Sequence, residues 1–150
     1  MDDVKEIQNE VIHELMIFKV HDVLCGLNNI RVKEINRNTR ITDVPHSPPY
    51  VRGVINLRGD IVTIIDMRVT FGFESIEINE DMRVVVVEFM DENVGLLTDR
   101  VLDIIPVDGN KFEAPPAKLL KKVSGDYFMS IYKRAGDLIA VIDIEKILQK

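Results

Sequence analysis

The sequence has no tryptophan and only one cysteine, Cys25, among 150 residues. A single cysteine excludes an internal disulfide, and its apolar neighbours indicate a buried thiol in a reducing compartment. The sequence has no apolar run of about 18 residues, so no membrane-spanning helix is predicted, and the acidic N-terminus does not resemble a secretory signal. We therefore expect a cytoplasmic protein that does not insert into a membrane.

Patterns typical of catalysis or cofactor binding are also lacking. The three histidines are not spaced with cysteines or carboxylates as zinc ligands are. The eight glycines are scattered rather than grouped in a phosphate-binding loop, and no serine has the glycine-flanked turn of one class of hydrolase. Two repeated acid pairs, Asp60 with Asp66 and Asp137 with Asp143, are explained by turns and helix caps. We therefore predict no metal, no cofactor and no enzymatic activity.

The charge is acidic overall but uneven along the chain. Nineteen Lys and Arg residues against 25 Asp and Glu residues give a net charge of −6, which argues against nucleic-acid binding. Between Ile30 and Arg58, however, six basic residues face only two acidic ones. This local excess is consistent with a solvated surface or with a docking patch for an acidic protein partner.

The two halves of the chain resemble each other. A shift of 77 positions places GDIVTIID at 59–66 on GDLIAVID at 136–143. A shift of 69 positions aligns identical residues near the start of each half: Asp22 with Asp91, Gly26 with Gly95, Arg31 with Arg100, Val32 with Val101 and Ile35 with Ile104. Two blocks in the same order indicate a duplicated unit, with an insertion in the second copy between residues 104 and 127.

Short runs rich in valine and isoleucine predict five strands in each half. They cover residues 15–20, 23–27, 40–44, 52–57 and 61–65, and then 83–89, 94–97, 104–107, 127–132 and 138–142. Closing each set of strands into a small barrel would remove exposed sheet edges. The predicted fold is therefore all-β, with two pseudo-repeated five-stranded barrels side by side.

The sequence also predicts a few short helices and a division of the chain into three segments. The helices are expected at 30–35, 67–71, 118–123 and 144–148, with Asn28 or Asn29, Asp66 and Asp143 as caps. Residues 2–14 show helical spacing of apolar side chains but are equally consistent with a frayed arm. We expect an N-terminal arm over 1–13, one barrel over 14–78 and a second barrel with the C-terminal helix over 79–150.

The segment VPHSPPYVRGVINLRGDIVTIIDMRVTFG at 44–72 resembles the signature region of the CheW family of bacterial chemotaxis coupling proteins. LMIFKVHDVLCGLNNIRVKEI, VGLLTDRVLDII and GDLIAVIDIEKIL extend the resemblance over nearly the whole chain. The resemblance implies two SH3-like barrels and a non-catalytic adaptor. Such an adaptor links the cytoplasmic tip of chemoreceptors to the regulatory domain of the histidine kinase CheA, in membrane-associated receptor arrays.

The resemblance also implies a set of receptor-contacting residues. They are Val32 and Glu34 on the expected helix, Gly53, Asn56 and Arg58 in the RGVINLRG block, and Val85 in the second half. Val32 and Val85 are equally consistent with core packing, and Gly53 with close backbone packing. A turn between apolar strands does not require Arg58, whose planar fork suits a receptor carboxylate. The kinase-contacting residues are not identified, beyond an expectation that they are apolar and near barrel ends.

Thr63 and Ser130 depart from the family pattern, where proline and glycine are common. The counterpart of the RGVINLRG block in the second half lacks its asparagine and arginine, so its contacts cannot be transferred by symmetry. Two alternatives stay open. The chain could be the coupling module of a larger protein, such as a CheV-like adaptor or a kinase regulatory domain. It could also be a small enzyme or ligand-binding protein that uses a groove between the barrels.

Overall fold

The computed structural model describes residues 3–149, which form thirteen short strands and three short α-helices. The strands are β1 (Lys5–Ile7), β2 (Glu10–Ile12), β3 (Glu14–Val20), β4 (Val23–Asn28), β5 (Val32–Asn36), β6 (Val51–Leu57), β7 (Asp60–Asp66), β8 (Arg83–Phe89), β9 (Glu92–Thr98), β10 (Arg100–Pro106), β11 (Phe112–Glu113), β12 (Phe128–Arg134) and β13 (Asp137–Ile142). The helices are α1 (Met67–Thr70), α2 (Ala117–Lys122) and α3 (Ile144–Leu148), and 3-10 turns lie at Asn29–Arg31 and Gly109–Lys111.

The strands form two main sheets and a separate hairpin. Strands β5 to β9 form a sheet in the order β5-β8-β9-β7-β6, which we call the contiguous sheet because it uses one stretch of chain. The other sheet, in the order β10-β3-β4-β13-β12-β11, combines strands from both ends of the chain, and we call it the composite sheet. Strands β1 and β2 pair only with each other.

Each sheet takes its central hairpin from the other half of the chain. Hairpin β8–β9 lies between β5 and β7 in the contiguous sheet, and hairpin β3–β4 lies between β10 and β13 in the composite sheet. The sequence predicts a division between residues 78 and 79, and the sheets do not follow it. Alternating apolar patterns define the strands and their order, but they do not define which hairpin pairs with which sheet.

Strand registers confirm that the two halves are repeats. Gly26 pairs with Val141 and Gly95 with Ile64, which are the pairs that the two sequence shifts relate. The bulge in β5 between Val32 and Glu34 recurs in β10 between Val101 and Asp103. Because register and bulges repeat together, the duplication extends to the backbone and not only to scattered identities.

Three apolar clusters form the core, and one of them joins the two sheets. The largest contains buried residues of both sheets, among them Met16 and Phe18 of the composite sheet and Val85 and Val87 of the contiguous sheet. We call it the shared core. A second cluster lies in the composite sheet and a third in the contiguous sheet. The exchanged hairpins and the shared core make the two halves depend on each other for burial.

The all-β fold with two sheets and few short helices is confirmed, whereas closure into barrels is not observed. Strands β5 and β6 are the two edges of the contiguous sheet and do not pair with each other. The only backbone link described near that gap is the bridge between Thr42 and Val54. The predicted strand at 40–44 is therefore reduced to this single bridge. Asp66 and Asp143 cap α1 and α3 as predicted, because their carboxylates accept backbone N–H bonds at the helix starts.

Two local predictions are wrong. The helix expected at 30–35 is a single 3-10 turn followed by strand β5, because β-branched Val32 and Ile35 pair with β8. The helical spacing over residues 2–14 is misleading, since residues 5–12 form the hairpin β1–β2 and Ile12 is fully buried. Residues 1 and 2 lie outside the described residues. No helix in the described chain is long and apolar enough to cross a membrane.

Candidate functional site

The contiguous sheet brings together three of the six candidate residues, Glu34, Asn56 and Arg58. Glu34 lies on the edge strand β5, Asn56 lies near the end of β6, and Arg58 lies in the turn between β6 and β7. Nη2 of Arg58 donates a hydrogen bond of 2.7 Å to the Glu34 carboxylate. The pair therefore links the two edges of the sheet, which have no backbone pairing.

The turn that carries Arg58 is built by local chemistry. Arg58 and Gly59 both have positive φ angles, +52° and +87°, which places them in the left-handed region used by tight hairpin turns. The side-chain oxygen of Asn56 accepts a hydrogen bond of 2.9 Å from the Gly59 N–H. Asn56 thus holds the turn in the conformation that projects Arg58 from the sheet.

Arg58 remains available to a partner although it is paired. Its side chain is 74% exposed, while that of Glu34 is 26% exposed. Hydrogen bonds from Arg58 and then from Asn36 lower the pKa of Glu34 below its ordinary value, so the carboxylate is charged near neutral pH. An ion pair this exposed adds about 0–1 kcal/mol to stability, which leaves the arginine free to exchange partners. We call Glu34, Asn56 and Arg58 the first docking surface.

Gly53 is buried on β6, the strand that also carries Asn56. A Cβ atom at position 53 would lie 2.2 Å from the Thr42 carbonyl oxygen and 2.7 Å from Cγ2 of Ile41. Its φ of +149° also favours glycine. Thr42 and Val54 exchange two backbone hydrogen bonds of 2.9 Å beside it. Gly53 therefore lets the preceding loop pack against β6, and its burial favours this indirect role over contact with a partner.

Val32 and Val85 also face the interior. Val85 is fully buried in the shared core, and Val32 is half-buried and packs against the same cluster. Val85 pairs with Ile35 on β5, whose side chain is partly exposed. The sequence does not distinguish these roles, because a valine has the same strand preference on either face.

The basic stretch from Ile30 to Arg58 is largely neutralised in the folded protein. Arg31 pairs with Glu10 and Glu145, and Arg58 pairs with Glu34. Arg52 donates to Asp66, Ser75 and the Ile76 carbonyl, and Lys33 lies near Glu88. Among residues 3–149, the guanidinium groups of Arg37 and Arg40 are the only ones of these six bases without an ion pair or hydrogen bond, although the Arg40 backbone N–H donates to Asn38. Only a few side chains of the predicted docking patch therefore remain available to a partner.

A small polar cavity of about 310 Å³ lies beside the first docking surface. It is lined by side chains of β5, β8 and β9 and by the β6–β7 hairpin: Lys33, Glu34, Leu57, Arg58, Asp60, Val86 and Asn93. Lys33 donates to Asn93, and Asn93 donates to Asp60. Because these groups bind one another, a ligand would have to displace several hydrogen bonds to enter. Within residues 3–149, no three His, Cys, Asp or Glu residues are placed to hold a metal ion.

The prediction that Cys25 is a buried thiol is confirmed. Cys25 is fully buried in the shared core, and burial strongly raises the pKa of its thiol. The thiolate form is therefore scarce at neutral pH, and Cys25 serves as an apolar core residue.

The structure also exposes apolar residues that the sequence did not identify. Ile61 at the start of β7 is 61% exposed, and Leu138 at the start of β13 is 48% exposed. The shift of 77 positions relates these two residues, so the alignment of the repeats contained the signal. Met90, in the turn between β8 and β9, is also exposed. Single exposed aliphatic side chains are common on protein surfaces, but these two recur at the same position of both repeats.

An all-β protein whose notable surface features are an exposed ion pair and aliphatic hairpin ends has the character of a protein-binding module. Comparison with known proteins supports this class. The family model for the CheW-like domain matches residues 14–150. This chain therefore belongs to the CheW family, which consists of chemotaxis proteins of the scaffold and adaptor type.

Individual relatives agree with the family assignment. The chemotaxis protein CheW of Klebsiella aerogenes is 29% identical over 135 residues, which cover 90% of this chain and 81% of that protein. The CheW protein of Helicobacter pylori is 30% identical over 146 residues, which cover 97% and 87%. The crystal structure of the scaffolding protein TtCheW from Thermoanaerobacter tengcongensis matches with a TM-score of 0.83 at 29% identity, and the match covers 93% of this chain and 94% of that one.

Proposed function

We propose that this protein is a non-catalytic adaptor that couples the cytoplasmic tip of chemoreceptors to the regulatory domain of the histidine kinase CheA. Membership of the CheW family supports the adaptor class. The observation that carries the receptor assignment is the exposed guanidinium of Arg58, held at the sheet edge by Glu34. A guanidinium in this position can exchange its internal carboxylate for a carboxylate of a receptor helix.

The remaining candidate residues act at different distances from the receptor. Glu34, Asn56 and Arg58 form the first docking surface, and Val32 lies two residues before Glu34 on β5 and packs against the shared core. Gly53 and Val85 shape the surface through the loop contact and the shared core rather than by touching the receptor. This division is a proposal about roles and leads to distinct effects of substitution.

We propose that the kinase domain binds at the hairpin ends that expose Ile61 and Leu138. The end near Ile61 is acidic, with Asp60, Glu88, Asp91 and Glu92 lining a cavity beside it. The end near Leu138 is basic, with Lys118, Lys121 and Lys122 of α2 around an apolar surface. Because the two ends carry opposite charge, a partner with a similar double fold would be bound in one orientation.

One experiment with two variants tests both assignments. Binding of a receptor tip fragment and of the kinase regulatory domain is measured separately by calorimetry, for Arg58→Glu and for Ile61→Ser. We expect Arg58→Glu to weaken receptor binding about tenfold and to leave kinase binding nearly unchanged. Ile61→Ser should have the opposite selectivity, since it removes a central apolar contact.

Each variant is the control for the other, because both positions are exposed and neither change disturbs a core. Equal loss of both partners in both variants, with native circular dichroism, would refute the separate surfaces. If the wild-type chain binds neither partner and does not alter the rate of kinase phosphorylation in their presence, the adaptor function is refuted. Assembly of these components would place the protein in the cytoplasm at membrane-associated receptor arrays.

A further inference from the structure

Two polar cavities of the contiguous sheet share part of their walls. The cavity beside the first docking surface has a volume of about 310 Å³, and a second cavity of about 290 Å³ lies beside Ile61. Lys33, Asp60 and Asn93 line both cavities. We call Ile61 and the acids of the second cavity the second docking surface; these acids are Asp60, Glu88, Asp91 and Glu92. The proposed receptor contact therefore adjoins part of the proposed kinase contact.

The three shared side chains bind one another in a row. Nζ of Lys33 donates a hydrogen bond of 3.1 Å to Oδ1 of Asn93, and Nδ2 of Asn93 donates one of 3.4 Å to Asp60. The Lys33 ammonium also lies 3.9 Å from the Glu88 carboxylate, and both of these side chains are about half exposed. Exposed charges held by single contacts exchange partners at little cost in free energy. The row can therefore rearrange without disturbing the core.

A β-bulge places Lys33 beside Glu34. Consecutive side chains of a regular strand point to opposite faces of the sheet. In β5, however, Val32 and Glu34 have partners on β8 and Lys33 between them has none. Lys33 and Glu34 therefore line the same cavity, although they are neighbours in the chain. Lys33 and Arg58 are the basic side chains in the wall of that cavity.

The other repeat shows that the fold does not require this network. The shift of 69 positions relates Lys33 to Leu102 and Asn93 to Leu24, and the shift of 77 relates Asp60 to Asp137. Two of the three polar positions are thus leucine in the composite sheet. The network belongs to the sheet that carries Arg58, so a role in partner binding explains it better than a role in folding.

Binding of Arg58 to a receptor carboxylate would change the partner of Lys33. Glu34 would then lose its hydrogen bond of 2.7 Å from Arg58 and keep one of 3.2 Å from the neutral Asn36 side chain. A carboxylate without its cation attracts the basic group that remains in the same cavity. Movement of Lys33 to Glu34 would release Asn93 and leave Glu88 without its cation. The second docking surface would become more negative, which favours a partner that presents basic groups.

We propose that Lys33 couples the two docking surfaces by binding Asn93 and Glu88 in the free protein and Glu34 when Arg58 binds a receptor carboxylate. This inference rests on the proposed function, because it assigns communication between the receptor contact and the kinase contact proposed above. Receptor binding then strengthens kinase binding through the charge of the second docking surface. By thermodynamic linkage, kinase binding strengthens receptor binding by the same factor.

A coupling ratio tests the role of Lys33. Calorimetry gives the dissociation constant of the kinase regulatory domain without and with an excess of receptor tip fragment, and the ratio of the two constants is the coupling. We expect a ratio of about three to five in the wild type, since exchange of an exposed ion pair has an effect of this size. The ratio should be about one in Lys33→Met, which keeps the length of the side chain without its charge, and in Glu34→Gln, which no longer attracts the lysine.

Lys19→Met is the matched control, because Lys19 on β3 is exposed and its side chain has no ion pair or hydrogen bond within residues 3–149. Its ratio should equal that of the wild type. The side-chain amide of Asn93 gives an independent readout by NMR. Its resonances should shift when the receptor fragment binds the wild type and should not shift when the fragment binds Glu34→Gln. A shift in both proteins would indicate direct contact with the fragment and would overturn the proposal.

The coupling and the proposed function fail in distinguishable ways. A ratio of one or below in a wild type that binds both partners would refute the coupling and leave the two contacts standing. The same ratio in Lys33→Met as in the wild type would also refute it, and if kinase binding alone were weaker in that variant, Lys33 would be a plain kinase contact. If the wild type binds neither partner, the proposed function itself fails and the coupling with it.

Discussion

Replacement of Gly53 by alanine should destabilise the protein by about 3–4 kcal/mol. The new Cβ would lie 2.2 Å from the Thr42 carbonyl oxygen, so the loop before β6 must move away. Movement of the loop breaks the two hydrogen bonds between Thr42 and Val54, each of which contributes about 1 kcal/mol. The backbone conformation at φ +149° adds about 1–2 kcal/mol of strain for a residue with a side chain.

Gly136→Ala is the matched control for this substitution. Gly136 also has a positive φ, +91°, but no atom lies within 4 Å of the position that its Cβ would take. Alanine there should cost only the backbone strain, about 1–2 kcal/mol. The difference between the two variants, about 2 kcal/mol, measures the contact between the loop and β6.

Urea unfolding monitored by circular dichroism measures both free energies, and hydrogen exchange of the Thr42 and Val54 amides reports on the bridge. We expect Gly53→Ala to speed exchange at both amides and to lower the melting temperature by roughly 10 °C, given about 2–4 °C per kcal/mol in a chain of this size. If Gly53→Ala is as stable as Gly136→Ala and its amides stay protected, the steric argument is refuted. If it keeps full stability yet loses receptor binding, Gly53 is a direct contact and not a support.

Two further predictions concern electrostatics and the exchanged hairpins. The pKa of Glu34, followed by NMR, should rise toward its ordinary value in Arg58→Ala, because the first cause of its lowering is the hydrogen bond from Arg58. In the wild type, the ion pair between Glu34 and Arg58 therefore stabilises the fold at pH values above the ordinary carboxyl pKa. This stabilisation is lost as the pH falls through the lowered pKa of Glu34. An unchanged Glu34 pKa in Arg58→Ala would contradict the hydrogen bond from Arg58 as the cause. When the chain is divided after residue 78, neither fragment should fold alone, since each lacks the central hairpin of a sheet, and the mixed fragments should regain native circular dichroism. A folded fragment 79–150 in isolation would show that the exchange is not required for stability.

The turn between β6 and β7 was predictable from local residues, because the glycine that such a turn favours is visible at position 59. The assignment of Asn56 and Arg58 to a partner contact came only from the resemblance to the CheW family, and it stays a prediction. The cap at Asp66 is equally local, since its carboxylate binds N–H groups two and three residues away. The helix predicted at 30–35 was wrong for the opposite reason. Its residues pair with a strand about fifty residues away, and that pairing outweighs a local capping signal.

Contacts between distant residues could not be predicted in the same way. The side chain of Lys33 reaches Asn93, which lies sixty residues later in the chain. The requirement for glycine at position 53 comes from the Thr42 carbonyl, which lies eleven residues earlier in the chain. No pattern of neighbouring residues in the sequence predicts either contact, because a side chain can reach the same point from more than one backbone position.

The sequence alone determined the all-β class, the duplication, the helix caps and the family, because strand propensity, turn chemistry and motif identity are properties of short segments. The tertiary structure decided that the repeats exchange their central hairpins, that most of the basic stretch is paired internally, and that Gly53 and Val85 are buried. It also decided that Lys33, Asn93 and Asp60 meet in one network between two cavities. These facts depend on which strands pair and on what lies across the shared core, and both follow from the burial of the whole chain together.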